Sequence, residues 1–145
     1  MLTVCRDTPT ETAGLLHVDI ATDRAVVSSA EVAIVTVTIT NRDRRAMLVP
    51  DPRSFACTPV FRVFDDADRE VQLPGRVCTL VGYAPATLRA GESIVVRDQW
   101  AGTTGVDART AVPVPSGAYR LMPRVLLAQK EHTGESVRVT VEHGS

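Results

Sequence analysis

The stretch Glu31-Val32-Ala33-Ile34-Val35-Thr36-Val37-Thr38-Ile39-Thr40-Asn41 decides the fold class. In an extended chain, successive side chains point to opposite faces, so Ala33, Val35, Val37 and Ile39 share one side and Thr36, Thr38 and Thr40 the other. β-Branched residues on both sides favour a strand, because a pleated surface accommodates their stiff χ1 and a helix crowds it. The polar run Asn41-Arg42-Asp43-Arg44-Arg45 ends the pattern as a turn.

The same period recurs on both sides of this stretch. Leu16, Val18 and Ile20 alternate with His17 and Asp19, and Asp23-Arg24 breaks the run. Met47-Leu48-Val49 reads as a short edge strand, followed by an irregular crossing marked by Pro50, Pro52 and Pro59. Phe61 and Val63 share a face of a strand over 60–64, and Asp65-Asp66-Ala67-Asp68-Arg69 is a hairpin turn with its return over 70–73. Pro74-Gly75 marks a turn, 77–83 is strand-like, and 88–92 is a turn. Ile94, Val96 and Trp100 then share a face over 93–100. Residues 101–116 form the longest irregular stretch, with Gly102, Gly105, Pro113 and Pro115. Tyr119, Leu121, Val125 and Leu127 line one face of a long strand in which Pro123 signals an edge or a bulge. The turn Gly134-Glu135-Ser136 precedes a last strand over 137–141.

The 22 Val and 16 Thr among 145 residues weight the whole chain toward strands, and no amphipathic helix emerges. The expected architecture is all-β, an antiparallel two-sheet immunoglobulin-like β-sandwich, as one domain over 14–145 after a mobile tail over 1–13. Its expected core contains Val35, Val37, Ile39, Phe61, Val63, Ile94, Val96, Leu121 and Val139. Trp100 belongs with them. Tyr119, just after Pro115-Ser116-Gly117-Ala118, is expected to pack its ring and fix the start of its strand with its hydroxyl.

Charge and motifs exclude several functions. A net charge of −1 argues against nucleic-acid binding through a basic field. The Arg42, Arg44, Arg45 tip contains Asp43 and reads as a solvated turn. No apolar run reaches the ~20 residues of a membrane span. Residues 1–7 show neither the basic nor the apolar region of an intact secretory signal. The expectation is therefore a cytoplasmic protein, or an exported one if the start has been trimmed. Three cysteines, Cys5, Cys57 and Cys78, fit reduced thiols, with a Cys57–Cys78 disulfide as the alternative. Counted from Asp66, an EF-hand would need Gly where Val71 stands and Glu where Val77 stands. His17, His132 and His143 form no zinc-binding pair, and there is no nucleophile elbow, phosphate loop or dinucleotide fingerprint. No cofactor, no metal and no catalytic residue is expected.

Three segments in order resemble a known bacterial family. They are Val37-Thr38-Ile39-Thr40-Asn41; Phe61-Arg62-Val63-Phe64-Asp65 with its acidic hairpin; and Leu88-Arg89-Ala90-Gly91-Glu92-Ser93 through Trp100, followed by Pro115-Ser116-Gly117-Ala118-Tyr119. Over about residues 30–141 the chain resembles the BsuPI-type domain, the intracellular proteinase inhibitor family. Ala90 stands where that family often has Pro, and the loop between Trp100 and Pro115 is unusually rich in Thr and Val.

The resemblance implies a non-catalytic protein-binding module, an inhibitor of a subtilisin-like serine protease that presents an exposed loop. The alternative is a structural or interaction domain of a larger or exported protein without inhibitory activity; a small hydrolase or metal protein is the least favoured reading. Proline preorganises an extended loop for a protease cleft. The candidate binding residues are therefore Pro50, Asp51, Pro52 and Arg53 in one loop, and Val112, Pro113, Val114 and Pro115 in the other.

Overall fold

A computed structural model describes residues 15–50, 58–76, 85–127 and 130–143. The described elements are all strands: β1 (Leu16–Thr22), β2 (Val26–Ser28), β3 (Ala33–Asn41), β4 (Met47–Pro50), β5 (Phe61–Asp65), β6 (Glu70–Val71), β7 (Pro85–Leu88), β8 (Ser93–Trp100), β9 (Thr103–Thr104), β10 (Val112–Pro113), β11 (Gly117–Leu127), β12 (Lys130–Thr133) and β13 (Val137–Glu142). Cys5, Cys57, Cys78, the tail over 1–13 and the strand expected over 77–83 fall outside the described residues.

Two sheets carry the core. One runs β1–β3–β8; the larger runs β2–β13–β11–β5–β6, with β12 beside β11. Two ribbons, β4–β7 and β9–β10, complete the pairing. In the first sheet Ile20, Val37 and Val96 lie in one register row, and Val18, Ile39 and Ile94 in the next. In the second, Val63 and Tyr119 pair toward β11 and β13 with Leu121 and Val139. The inward residues of both sheets join a single cluster in which all nine residues expected in the core are buried. Val35, Val37 and Ile39 are fully buried, whereas Ile34 on the opposite face is 38% exposed, as the period-two pattern requires.

The expectation of purely antiparallel sheets is corrected at one place: β2 runs parallel to β13, with Val27 opposite Val141. No hairpin separates β1 from β2. The chain steps from one sheet to the other through 23–25, where the Asp23 carboxylate accepts the Ile34 N–H at 2.8 Å and the Ala25 carbonyl accepts the Thr140 N–H at 2.8 Å. A strand that changes sheets without turning back arrives beside the last strand in the parallel sense.

Pro123 lies on an inner strand, yet its missing donor disturbs no ladder. The pairing of β11 with β13 ends at Leu121 and that with β12 begins at Arg124. Arg124 N–H donates to the Val60 carbonyl on the β5 side, so the Pro123 nitrogen faces the gap between β13 and β12. Five short strands are not marked in the sequence: β2, β7, β9, β10 and β12 are each two to four residues long.

Candidate interaction surface at the 101–116 segment

The longest irregular stretch of the sequence folds back on itself. β9 and β10 pair antiparallel, Thr104 with Val112 and Thr103 with Pro113. The hairpin is tied to the 72–75 segment. Thr104 Oγ1 donates to the Gln72 carbonyl at 2.6 Å, Gly105 N–H reaches the same carbonyl at 3.3 Å, and Gly75 N–H donates to the Val106 carbonyl at 2.8 Å. This last contact requires glycine. A Cβ at position 75 would stand 2.9 Å from the Val106 oxygen.

Within the tip, the Asp107 carboxylate accepts both the backbone N–H and the hydroxyl of Thr110 at 2.9 Å. The backbone hydrogen bond from Thr110 holds the Asp107 carboxyl below the ordinary carboxylate range. Its oxygens are thus used to shape the turn, a common role for Asp in loops.

The base of the hairpin is anchored in the core. Trp100 Nε1 donates to the Thr103 carbonyl at 3.1 Å, and Val114 N–H to the Gly102 carbonyl at 2.9 Å. His143 Nε2 donates to the Val114 carbonyl, which can only accept, so Nε2 carries the proton. Tyr119 Oη donates to the Pro115 carbonyl at 2.6 Å, and its ring meets Trp100 edge-on at 5.6 Å. Burial, with Asp65 and Asp66 nearby, pushes the Tyr119 hydroxyl above its ordinary pKa, so it remains a donor.

The candidate residues divide accordingly. Val112 is 55% exposed, and Pro113 and Pro115 are exposed. Val114 is 2% exposed; it plugs the core, and its side chain is not available to a partner. Pro50 ends β4 opposite Pro85, on the other ribbon, and Asp51, Pro52 and Arg53 lie outside the described residues. Val106, which the sequence did not single out, is the more exposed apolar side chain of the hairpin at 71%. Its signal was available: an isolated valine within a polar, glycine-bounded tip.

An open groove of roughly 880 Å³ flanks the hairpin, lined by Phe61, Leu73, Arg76, Asp98, Trp100 and Ala108 among others. Asp98 occupies an inward position of β8 between Val96 and Trp100. Its carboxylate takes Arg76 Nη2 at 2.7 Å, Val60 N–H at 3.3 Å and Gln99 N–H at 2.8 Å. An acid at the inward parity of an apolar stripe was the sequence signal for this pair. Among the described residues, no three metal-ligating side chains converge. The acid turn Asp65–Arg69 is likewise internally satisfied, with Asp65 Oδ1 accepting the N–H groups of Ala67 and Arg69 at 2.9 Å.

No family model matches the chain, and no curated protein matches it. Solved structures do. A β-glucosidase from Erythrobacter marinus is 16% identical with a TM-score of 0.50, over 88% of this chain and 15% of that one. A β-glucosidase from Listeria innocua with isofagomine is also 16% identical, TM-score 0.48, over 89% and 16%. At this identity the likeness to the first concerns the fold alone. The chain spans less than a fifth of the length of those enzymes.

Proposed function

We propose that this chain is a non-catalytic protein-binding module built on an immunoglobulin-like two-sheet sandwich, and that a protein partner meets the β9–β10 hairpin. The observation that carries this reading is the exposure of Val106, Val112 and Pro113 on a backbone held by hydrogen bonds at 72, 75, 102, 119 and 143. A segment already held in shape loses little conformational entropy on binding, and exposed apolar side chains on it supply contact area. The sandwich reading is supported by the two sheets sharing one core and by Tyr119 bonding back to the backbone, as a tyrosine does at the corner of such sandwiches.

Two roles fit such a module. The resemblance to the intracellular proteinase inhibitors supports an inhibitor of a subtilisin-like serine protease, with the hairpin laid into the cleft. The likeness to a small part of a β-glucosidase supports an interaction or structural domain of a longer protein, since there the same fold accounts for 15% of the chain. Titration against a panel of serine proteases separates them. Inhibition that is lost in the triple variant V106S/V112S/P113S, at unchanged melting temperature, supports the inhibitor. If the chain inhibits no protease in the panel, that role is dropped and the interaction domain stands. Val114 is left intact in this test, because its removal would open the core.

A further inference from the structure

The outer face of the larger sheet carries an arrangement that stability alone disfavours. Arg120 on β11 stands directly opposite Arg138 on β13 in the register. Their neighbours Tyr119, Leu121 and Val139 are buried, so both arginines point outward. In such a pair the Cβ atoms lie about 5 Å apart, and like charges placed there repel.

The two guanidinium groups have divided. Arg120 lies over the Phe64 ring, 5.2 Å from its centroid, on the side away from β13, and its Nη2 donates to Asp68 at 2.7 Å. Arg62 lies over the same ring at 5.4 Å and grips Glu70 with two hydrogen bonds of 2.9 and 2.7 Å. The Arg138 side chain is exposed and makes no hydrogen bond or ion pair with the described residues. The face thus already binds carboxylates on its β5 side and leaves the Arg138 guanidinium without a described partner on its β13 side; half-buried Phe64 lies between Arg62 and Arg120, and half-buried Met122 stands opposite Arg62.

We propose that Arg138, beside the Asp68-bound Arg120, is a carboxylate anchor, and that this face docks an acidic, extended segment of a protein partner. Arginine presents planar donors matched to carboxylates, and Arg, Phe and Met are the residue types that interfaces favour. A carboxylate seated on Arg138 would offset its repulsion from Arg120, as Asp68 already does for Arg120 itself. Since the whole chain has a net charge of −1, the attraction is local to this face. The inference rests on reading the chain as a protein-binding module, and it is independent of the hairpin.

The test uses the whole chain and fluorescein-labelled hexaglutamate, followed by fluorescence anisotropy at low salt, with hexaglutamine as the control. Saturable binding of hexaglutamate alone is expected, weakening as salt rises. R138Q should weaken it about fivefold or more with no loss of melting temperature. R138E should remove it and raise the melting temperature, because a carboxylate then stands opposite Arg120. A purely structural role for Arg138 would give the reverse thermal result. The triple hairpin variant V106S/V112S/P113S should bind hexaglutamate like the wild type, which separates failure here from failure at the hairpin. No saturable binding of hexaglutamate, or unchanged affinity in R138Q and R138E, overturns the proposal.

Discussion

The Tyr119 hydroxyl donates to the carbonyl of Pro115, four residues earlier, at 2.6 Å, while its ring packs edge-on against Trp100. One side chain thereby joins the base of the exposed hairpin to the core. Tyr119→Phe keeps the ring and removes the bond, leaving a part-buried carbonyl without its donor. We expect a loss of about 1–2 kcal/mol in urea unfolding with the far-UV spectrum unchanged. An unaltered midpoint would show that water replaces the hydroxyl without cost.

Asn41 is the one fully buried polar residue among those described, with 0% exposure. Its amide nitrogen donates to the carbonyls of Arg45 and Leu88, and its side-chain oxygen accepts the Asp43 N–H, all at 2.8 Å. It therefore closes the turn after β3 and fastens β7 to it. Asn41→Ala strands three backbone groups and should cost about 3 kcal/mol. Asn41→Asp should also destabilise, since a carboxylate cannot donate to the two carbonyls. Calorimetry of both variants checks this.

Gly75→Ala places a methyl group 2.9 Å from the Val106 carbonyl oxygen. The contact that seats the hairpin tip must then lengthen. We expect faster hydrogen exchange at the Gly105 and residue-75 amides, while exchange in β3 and β8 stays slow. Unchanged exchange at the tip would show that the hairpin does not depend on this approach.

Acid should destabilise the chain in a defined window. Arg62 holds the Glu70 carboxyl below its ordinary value of 4.5; backbone N–H bonds do the same for Glu31 from 4.5 and for Asp65 from 3.8. Because these folded values are depressed, the charged forms stabilise the fold above the unfolded values. That contribution is lost as pH falls through the lower folded ones. The melting temperature should be nearly flat from neutral pH to about 5 and should fall below about 4.5. Glu70→Gln should lower it at neutral pH and reduce the acid-dependent drop; an identical pH profile in the variant would refute the role of Glu70.

Val37 is fully buried at the centre of the first sheet, between Ile20 and Val96. Val37→Asp buries a charge without a partner and should cost about 3 kcal/mol or more. A soluble variant with the wild-type melting temperature would contradict its placement.

What could be read before folding was whatever depends on near neighbours. Alternation in 31–41 assigns Val35, Val37 and Ile39 to one face wherever the strand ends up, because the pleat has a period of two. The Pro115-to-Tyr119 spacing is equally local, and so are the Asp65 and Gly91 turns. Other features join residues far apart in the chain. β2 meets β13 through Val26 and Thr140, Asp98 meets Arg76, and Arg120 faces Arg138 only because β11 and β13 pair in that register. Nothing near Val26 marks its parallel partner, and each arginine alone reads as an ordinary exposed strand residue. The same holds for Val114, whose prolines suggest a presented loop while the packing makes its side chain part of the core. Periodicity is written along the chain, but register and sheet-to-sheet contact arise between distant segments, so the surfaces proposed for binding form only once those segments are brought together.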